Sequence, residues 1–234
     1  MDDELNFQTH LFLSPKNIKI KIIKKHDFSE LYFNEVPINA DINKDKIDFI
    51  DVFLQKNIFQ IESKINKFIK SSNLIEDSDK FFTIYLSIKK ENYGEFLKKE
   101  NLYHLLNEAK YECKQTIDSR RITHMLIDNY YIDEKLHSSF PENLRCNFFT
   151  IDVRFICLPE HFIEKIEKIL RKYQITVSHI LSSEYVKSFL KDDETDIFKM
   201  SSKIIDGFNE NEVLIVPKIT NNQGFFERFF NFFN

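Results

Sequence analysis

Three hydrophobic periods follow one another without a break between residues 148 and 190. Residues 149–157 alternate apolar side chains with Asp152 and Arg154, which is the period of a β-strand. Pro159 suits a first helical turn, and the apolar residues after it have the spacing of one helix face: Phe162, Ile163, Ile166, Ile169 and Leu170. A second strand at 175–181 and a short helix at 184–190 follow. This order predicts an α/β unit whose crossover is right-handed.

Shorter hydrophobic patterns lead into this unit from the N-terminal side. They predict strands at 11–13, 18–23, 31–33, 81–88 and 122–133, and helices at 46–71 and 97–113. The first two strands form a predicted hairpin. The helical stretch at 46–71 is one long helix or two shorter ones. The strongly apolar strand at 81–88 is expected to be covered on both faces. Because helices lie between strands, the predicted fold class is α/β or α+β.

The pattern changes after residue 190. Residues 191–196 form a charged break, and residues 197–208 have the pattern of one short helix. Residues 221–224, Asn-Asn-Gln-Gly, have the composition of a flexible joint. We therefore predict a linker over residues 191–223.

The last residues of the chain, 224–234, form a regular amphipathic pattern. At about 100° per residue, six phenylalanines fall on an arc of roughly 160°, with polar residues opposite. They are Phe225, Phe226, Phe229, Phe230, Phe232 and Phe233. So short a helix is marginal in water and needs a surface, which is its own core, a groove on a partner or the bilayer interface. The flexible joint and the aromatic density favour the bilayer, where Arg228 adds a weak attraction to anionic lipid.

Charge and composition exclude several classes of function. The net charge of -4, with cations and anions intermixed, gives no footprint for nucleic acid. The N-terminus lacks an apolar signal core, and no apolar run is long enough to span a bilayer. Three widely spaced cysteines indicate neither a disulfide framework nor a zinc site, and they suit a reducing compartment. We expect a cytoplasmic protein, attached at most to the surface of the cell membrane.

Candidate catalytic and metal-binding residues have weak patterns. The seven histidines lie at no metal-ligand spacing with one another or with cysteine, so structural or surface roles are expected. Cys157 is expected to be a buried apolar residue and not a nucleophile. Residues 118–121 could bind an anion but are more simply read as a solvated turn, and Asp192, Asp193 and Glu194 lie in the predicted linker. With only three glycines the chain has no Gly-rich phosphate loop, and we predict no catalytic residue, no metal and no cofactor.

The strand predicted at 122–133 carries His124, Tyr130, Ile132 and Asp133. These four positions match a strand motif, and several of the other segments are similar too, so that the chain resembles the bacterial cell division protein FtsA, an actin-like protein that tethers the division ring to the membrane. Ile127 stands where that motif has a proline. Residues 82–87 resemble the strand that opens an inserted subdomain in that family, and residues 153–156 and 173–177 occupy the positions of later strands. The ending Gly-Phe-Phe-Glu-Arg-Phe-Phe resembles the family's membrane-targeting helix.

Two departures from the FtsA pattern bear on function. The family's first phosphate loop reads Asp-hydrophobic-Gly-Thr, whereas residues 12–15 read Phe-Leu-Ser-Pro, without the glycine or the aspartate. Pro15 also removes an amide donor. After Leu190 the chain enters the linker, whereas the family continues into a second lobe with another phosphate loop and the docking site for the FtsZ tail.

The resemblance implies a shortened FtsA-like chain of five parts. They are the first part of an actin-like lobe (1–78), an inserted FtsA-type subdomain (79–147), a return to the lobe (148–190), the linker (191–223) and an amphipathic membrane-targeting helix (224–234). It implies a non-enzymatic scaffold at the cytoplasmic face of the membrane. The implied partners are FtsZ or later division proteins, the membrane surface and a second copy of the chain.

Two other functions stay open. One is a soluble adaptor whose phenylalanine tail docks on a partner or on its own domain. The other is an ATP-binding protein of the actin class, for which two Gly-rich phosphate loops would be the discriminating feature.

Overall fold

The computed structural model describes residues 7–38, 46–191 and 194–213, which form a mixed α/β fold with two sheets. The strands are β1 (Phe7–Leu13), β2 (Asn17–Lys24), β3 (Glu30–Pro37), β4 (Ser71–Glu76), β5 (Phe82–Glu91), β6 (Arg120–Ile132), β7 (Lys135–His137), β8 (Phe148–Pro159) and β9 (Thr176–Ser182). The helices are α1 (Lys46–Ile65), α2 (Lys99–Thr116), α3 (Glu160–Lys172), α4 (Ser183–Lys187) and α5 (Ile197–Ile205). The predicted fold class is confirmed.

The first sheet, sheet A, has the strand order β3-β2-β1-β4-β9. Strands β1 to β3 are antiparallel, whereas β4 is parallel to both β1 and β9. Leu11 and Leu13 of β1 point into a core shared with α1 and α3. Phe12 points to the other face, where it packs with Phe198 of α5. Helices therefore cover sheet A on both faces.

The second sheet, sheet B, has the order β5-β8-β6-β7 and is antiparallel throughout. Helix α2 packs against one face through a core that includes Leu105, Ala109 and Phe155. The opposite face is polar, and the Arg154 guanidinium lies 2.9 Å from Asp128 Oδ1 there. One face of this sheet is therefore apolar, and the other is polar and exposed around Arg154 but buried at Leu126 and Ile156, which pack in the core that includes α4 and α5.

Most predicted elements are present. The hairpin is β1 and β2, the strand at 122–133 is β6, the helix at 97–113 is α2 and the short helix at 197–208 is α5. The helix predicted over 46–71 is one helix that ends at Ile65. Strand β4 was missed because its sequence, Ser-Ser-Asn-Leu-Ile-Glu, has two apolar residues and no alternation.

Two predictions about strands are wrong. The strand, helix and strand of 148–190 do not share a sheet, since β8 pairs with β5 and β6 while β9 pairs with β4. Both edges of β8 are occupied, so α3 connects sheet B to sheet A. The strand predicted at 81–88 is not covered on both faces, because β5 is an edge strand whose Tyr85 side chain is 70% exposed.

Part of the segment predicted as a linker is packed on the domain. Helix α5 begins at an N-cap, where Asp196 Oδ1 accepts hydrogen bonds from Phe198 N and Lys199 N. Phe198, Met200 and Ile204 of α5 are buried. The rest of that segment, 214–223, and the tail 224–234 lie outside the described residues.

Candidate binding cleft between the two sheets

A cleft with a volume of about 340 Å³ lies where β9, at the edge of sheet A, faces the start of β6. Residues 177–181 of β9 and 121–124 of β6 form two of its walls. Ile204 and Ile205, at the end of α5, form a third. The lining combines apolar residues such as Ile122, Ile180 and Leu181 with polar and charged ones such as Arg121, His179 and Glu212.

The free edge of β9 makes the cleft suitable for an extended peptide. Within the described part of the chain, β9 pairs only with β4. Backbone N–H and C=O groups along the outer side of residues 177–181 are therefore available to another strand. A peptide added there would gain main-chain hydrogen bonds from the edge and side-chain contacts from the walls.

A buried polar network closes one end of the cleft. The backbone N–H of Ser182 donates to His124 Nε2 at 3.0 Å, so Nε2 is the acceptor and the proton is on Nδ1. His124 Nδ1 then donates to Glu212 Oε1 at 2.7 Å, and Tyr185 donates to Glu212 Oε2 at 2.6 Å. Asn209 Nδ2 donates to the Tyr185 hydroxyl at 2.8 Å. Each carboxylate oxygen of Glu212 thus has a donor.

Burial, together with the adjacent Glu212 carboxylate, raises the pKa of Tyr185. The phenol therefore remains protonated and acts as a donor. The rings of Tyr185 and His124 also pack with a centroid distance of 4.5 Å. These contacts hold three separate segments of the chain together, namely β6, the junction of β9 with α4, and residues 209–212.

Residues 209–213, here called the strap, run alongside β6. Ile127 N donates to Asn211 O and Val213 N donates to Met125 O, both at 2.8 Å. Glu212 lines the cleft from the strap. The described part of the chain ends next to this residue, at Val213.

The charged groups of the cleft are paired. Arg121 binds Glu160, and its Nη1 lies 2.6 Å from Glu167 Oε1. Burial lowers the pKa of His179, with the Asp206 and Glu212 carboxylates opposing the shift, so this histidine is neutral near pH 7. Its Nδ1 lies 3.1 Å from Asn73 Oδ1. An apolar segment is therefore a better occupant than a strongly charged one.

The turn at 14–17, which the resemblance to FtsA aligns with a first phosphate loop, satisfies its own backbone amides. Ser14 Oγ accepts from Lys16 N at 3.2 Å and from Asn17 N at 2.9 Å. Ser14 N donates to Asn17 O at 3.0 Å, and Pro15 has no N–H. The donors that would cradle a phosphate are already satisfied within the turn. Over the described ranges, no group of three His, Cys, Asp or Glu side chains is placed to hold a metal.

The candidate residues predicted from the sequence lie in different parts of the molecule. The seven tail residues predicted to bind the membrane, the six phenylalanines and Arg228, lie outside the described residues. Of the motif residues, only His124 is in the cleft. Tyr130 and Ile132 are in the core of sheet B, and Asp133 Oδ1 accepts from the backbone amides of Asn147 and Phe148.

Other sequence expectations concern side chains away from the cleft. Cys157 is buried as predicted, and burial beside Cys113 raises its pKa to about 12. Asp118 and Ser119 are exposed, as expected of a solvated turn, whereas Arg120 and Arg121 already belong to β6. Glu194 forms ion pairs with Lys199 and Lys203 of α5 at 2.9 Å. None of these groups is poised for catalysis.

The chain has limited similarity to known proteins. No protein-family model and no curated protein matches it. In the described ranges, no helix is long and apolar enough to cross a membrane.

Three similar solved structures illustrate the likeness. The PilM-PilN type IV pilus biogenesis complex has a TM-score of 0.47 and 8% identity, covering 76% of this chain and 48% of that chain. The cytoplasmic domain of EpsL, an inner membrane component of the Vibrio cholerae type II secretion system, has a TM-score of 0.38 and 12% identity, covering 80% and 59%. A Bacteroides thetaiotaomicron protein with an actin-like ATPase fold and unknown function has a TM-score of 0.35 and 13% identity, covering 79% and 55%. This chain thus spans about half of each, and FtsA is not among these three.

Proposed function

We propose that this protein is a non-enzymatic, membrane-associated adaptor. The tail 224–234 binds the cytoplasmic face of the membrane, and the cleft beside β9 binds an extended segment of a partner protein. The observation that carries the proposal is the placement of six phenylalanines on one side of the tail, with polar residues on the other.

The energetics of the tail favour reversible attachment. A fully buried phenylalanine contributes about 1.5 to 3 kcal/mol, but rings at a bilayer interface are only partly buried. Ordering the helix opposes binding, so six rings give a net of roughly 5 to 8 kcal/mol. One tail is then comparable with a single acyl chain. A second attachment, through a partner or a second copy, would strengthen it.

The strap relates the tail to the cleft. The strap hydrogen-bonds to β6, and its Glu212 accepts from His124 and Tyr185 at the closed end of the cleft. A partner seated along β9 would therefore lie close to the strap, which precedes the tail in the sequence. This arrangement suits a protein that holds a partner near a bilayer.

The absence of enzymatic activity is part of the proposal. It is supported by the internally satisfied turn at 14–17, whose Ser14 hydroxyl occupies two of the amides. A nucleotide titration tests it. Binding of ATP at micromolar affinity would favour the actin-class alternative.

We further propose that the process served is bacterial cell division. The support is the sequence resemblance to FtsA at His124, Tyr130, Ile132 and Asp133 and at the tail. The partners would then be FtsZ or later division proteins. Co-purification from cells tests this, and recovery of unrelated proteins alone would overturn the division assignment.

A pair of variants tests the adaptor role in cells. Ser178→Arg puts a long cation into the cleft from β9, and Ser139→Arg puts the same side chain on an exposed loop as a control. Ser178→Arg should lose the co-purifying partner and keep membrane attachment, whereas Ser139→Arg should keep both. If Ser178→Arg retains every partner, the cleft is not the binding site.

A further inference from the structure

The outer edge of β5 is open along ten residues. Strand β5 pairs with β8 from Phe82 to Glu91 on one side, and nothing in the described ranges pairs with its other side. The β5–β8 register has no shift, so no bulge twists this edge away. An edge of this length is a ready template for another strand.

The devices that usually protect an edge strand are missing from most of β5. Residues 82–88, Phe-Thr-Ile-Tyr-Leu-Ser-Ile, contain no proline and no charge, and they are rich in β-branched and aromatic residues. Charges occur only at Lys89, Lys90 and Glu91. Such an edge, left exposed, favours pairing with a further chain.

The side chains of β5 are complementary to themselves. If two copies pair antiparallel with Leu86 opposite Leu86, then Ile84 lies opposite Ile88. On the other face Tyr85 lies opposite Ser87, and Thr83 lies opposite Lys89. No like charges meet in this register, and each cation faces an uncharged residue.

This register also keeps the faces of the two sheets aligned. Ile84, Leu86 and Ile88 pack on the α2 side of sheet B, whereas Tyr85 and Ser87 are exposed on the other side. Side chains directly opposite one another share a face, so the apolar row continues from one copy into the next. A shift by one residue would bring Leu86 opposite Ser87 and break the row.

We propose that β5 is a homodimer interface, in which two copies of this chain pair antiparallel about Leu86. The two sheets B then form one eight-stranded sheet across a two-fold axis, with both copies of α2 on the same side. The inference stands on the described residues alone and does not depend on the tail. Its consequence for the proposed function is that each dimer carries two tails, so membrane attachment gains avidity.

Paired charge variants of the full chain test this interface. Tyr85 and Ser87 are exposed, so changing them leaves the core intact. In Tyr85→Lys/Ser87→Lys, two Lys–Lys pairs face each other across the axis, and dimer affinity should fall roughly tenfold to thirtyfold. In Tyr85→Glu/Ser87→Lys, both positions become Glu–Lys pairs, and the dimer should return.

Sedimentation velocity of wild type and both variants measures the association, and a thermal melt of each confirms that the fold is retained. The expected result is a dimer for wild type and for Tyr85→Glu/Ser87→Lys, and a monomer for Tyr85→Lys/Ser87→Lys at the same concentration. A monomeric wild type, or a dimer unaffected by Tyr85→Lys/Ser87→Lys, would overturn the proposal. A tail variant that is released from the membrane but still dimerises would leave the dimer proposal intact. The dimer proposal and the membrane-adaptor proposal can therefore fail separately.

Discussion

His10 of β1 is fully buried against α5, with its Nε2 2.9 Å from Ser202 Oγ. Burial lowers its pKa from 6.5 to about 3. Below pH 6.5 this histidine is protonated in the unfolded chain but stays neutral in the folded protein. Stability is therefore complete above pH 6.5 and falls as the pH drops toward 3.

This histidine predicts a specific loss of stability in mild acid. From pH 7 to pH 5 the free energy of unfolding should fall by about 2 kcal/mol through His10 alone. Urea unfolding of wild type and His10→Gln at both pH values measures this contribution. Between pH 7 and pH 5 the free energy of unfolding of the variant should fall by about 2 kcal/mol less than that of wild type. His26→Gln is the matched control, since the His26 side chain is 71% exposed. Equal losses for wild type and His10→Gln would contradict the assignment.

Tyr185 supplies a second prediction at the same scale. Tyr185→Phe removes the hydroxyl that donates to Glu212 and leaves that buried carboxylate with one donor fewer. The cost should be about 1 to 3 kcal/mol of stability. Tyr111→Phe changes an exposed tyrosine of α2 and should have little effect. Equal midpoints of urea unfolding for Tyr185→Phe and wild type would show that the network contributes nothing.

The sequence indicated one member of this network and not the others. His124 belongs to a strand motif, but Glu212 lies 88 residues further along the chain and Tyr185 lies 27 residues before Glu212. No spacing or period connects such positions, because the contact arises only when the strap packs on β6. The cleft was therefore beyond prediction from the sequence.

At the scale of elements, long periodic segments were predictable and pairing partners were not. Helix α3 has an apolar row and cations in its last turn, so its own sequence specifies it. Strand β4 is specified by its neighbours, because it pairs with β1 and β9. Its buried polar residues Asn73 and Glu76 give its sequence the composition of a polar loop. The same limitation led to the incorrect joining of β8 and β9 in one sheet.

The packing of helix α5 indicates that the folded domain extends through this helix. It buries Phe198, Met200 and Ile204 against sheet A and α4, so a chain shortened after residue 190 would expose that core. Such a chain should lose its cooperative thermal melt, whereas one shortened after residue 213 should keep it. If both shortened chains melt cooperatively at the same temperature, α5 is dispensable and the linker indeed begins at residue 191.

At the scale of the whole molecule, the proposed function joins two parts that act independently. The folded domain offers an edge strand in the cleft, and the tail offers six phenylalanines to a surface. The domain also has an apolar groove of about 360 Å³ between β3 and α1, with Val36, Val52 and Phe53 in its walls. If the tail docks on its own domain, the thermal melt should change when the tail is altered. If the tail binds the bilayer, the thermal melt should not change.

Sedimentation with lipid vesicles, paired with a thermal melt of the same samples, separates these outcomes. Phe226→Glu/Phe229→Glu places two charges on the aromatic side, and Asn231→Glu/Asn234→Glu places the same two charges on the polar side as a matched control. We predict that wild type and the control sediment with vesicles, that Phe226→Glu/Phe229→Glu stays in the supernatant, and that all three melt alike. Continued sedimentation of Phe226→Glu/Phe229→Glu, or loss of its cooperative melt, would contradict the membrane adaptor.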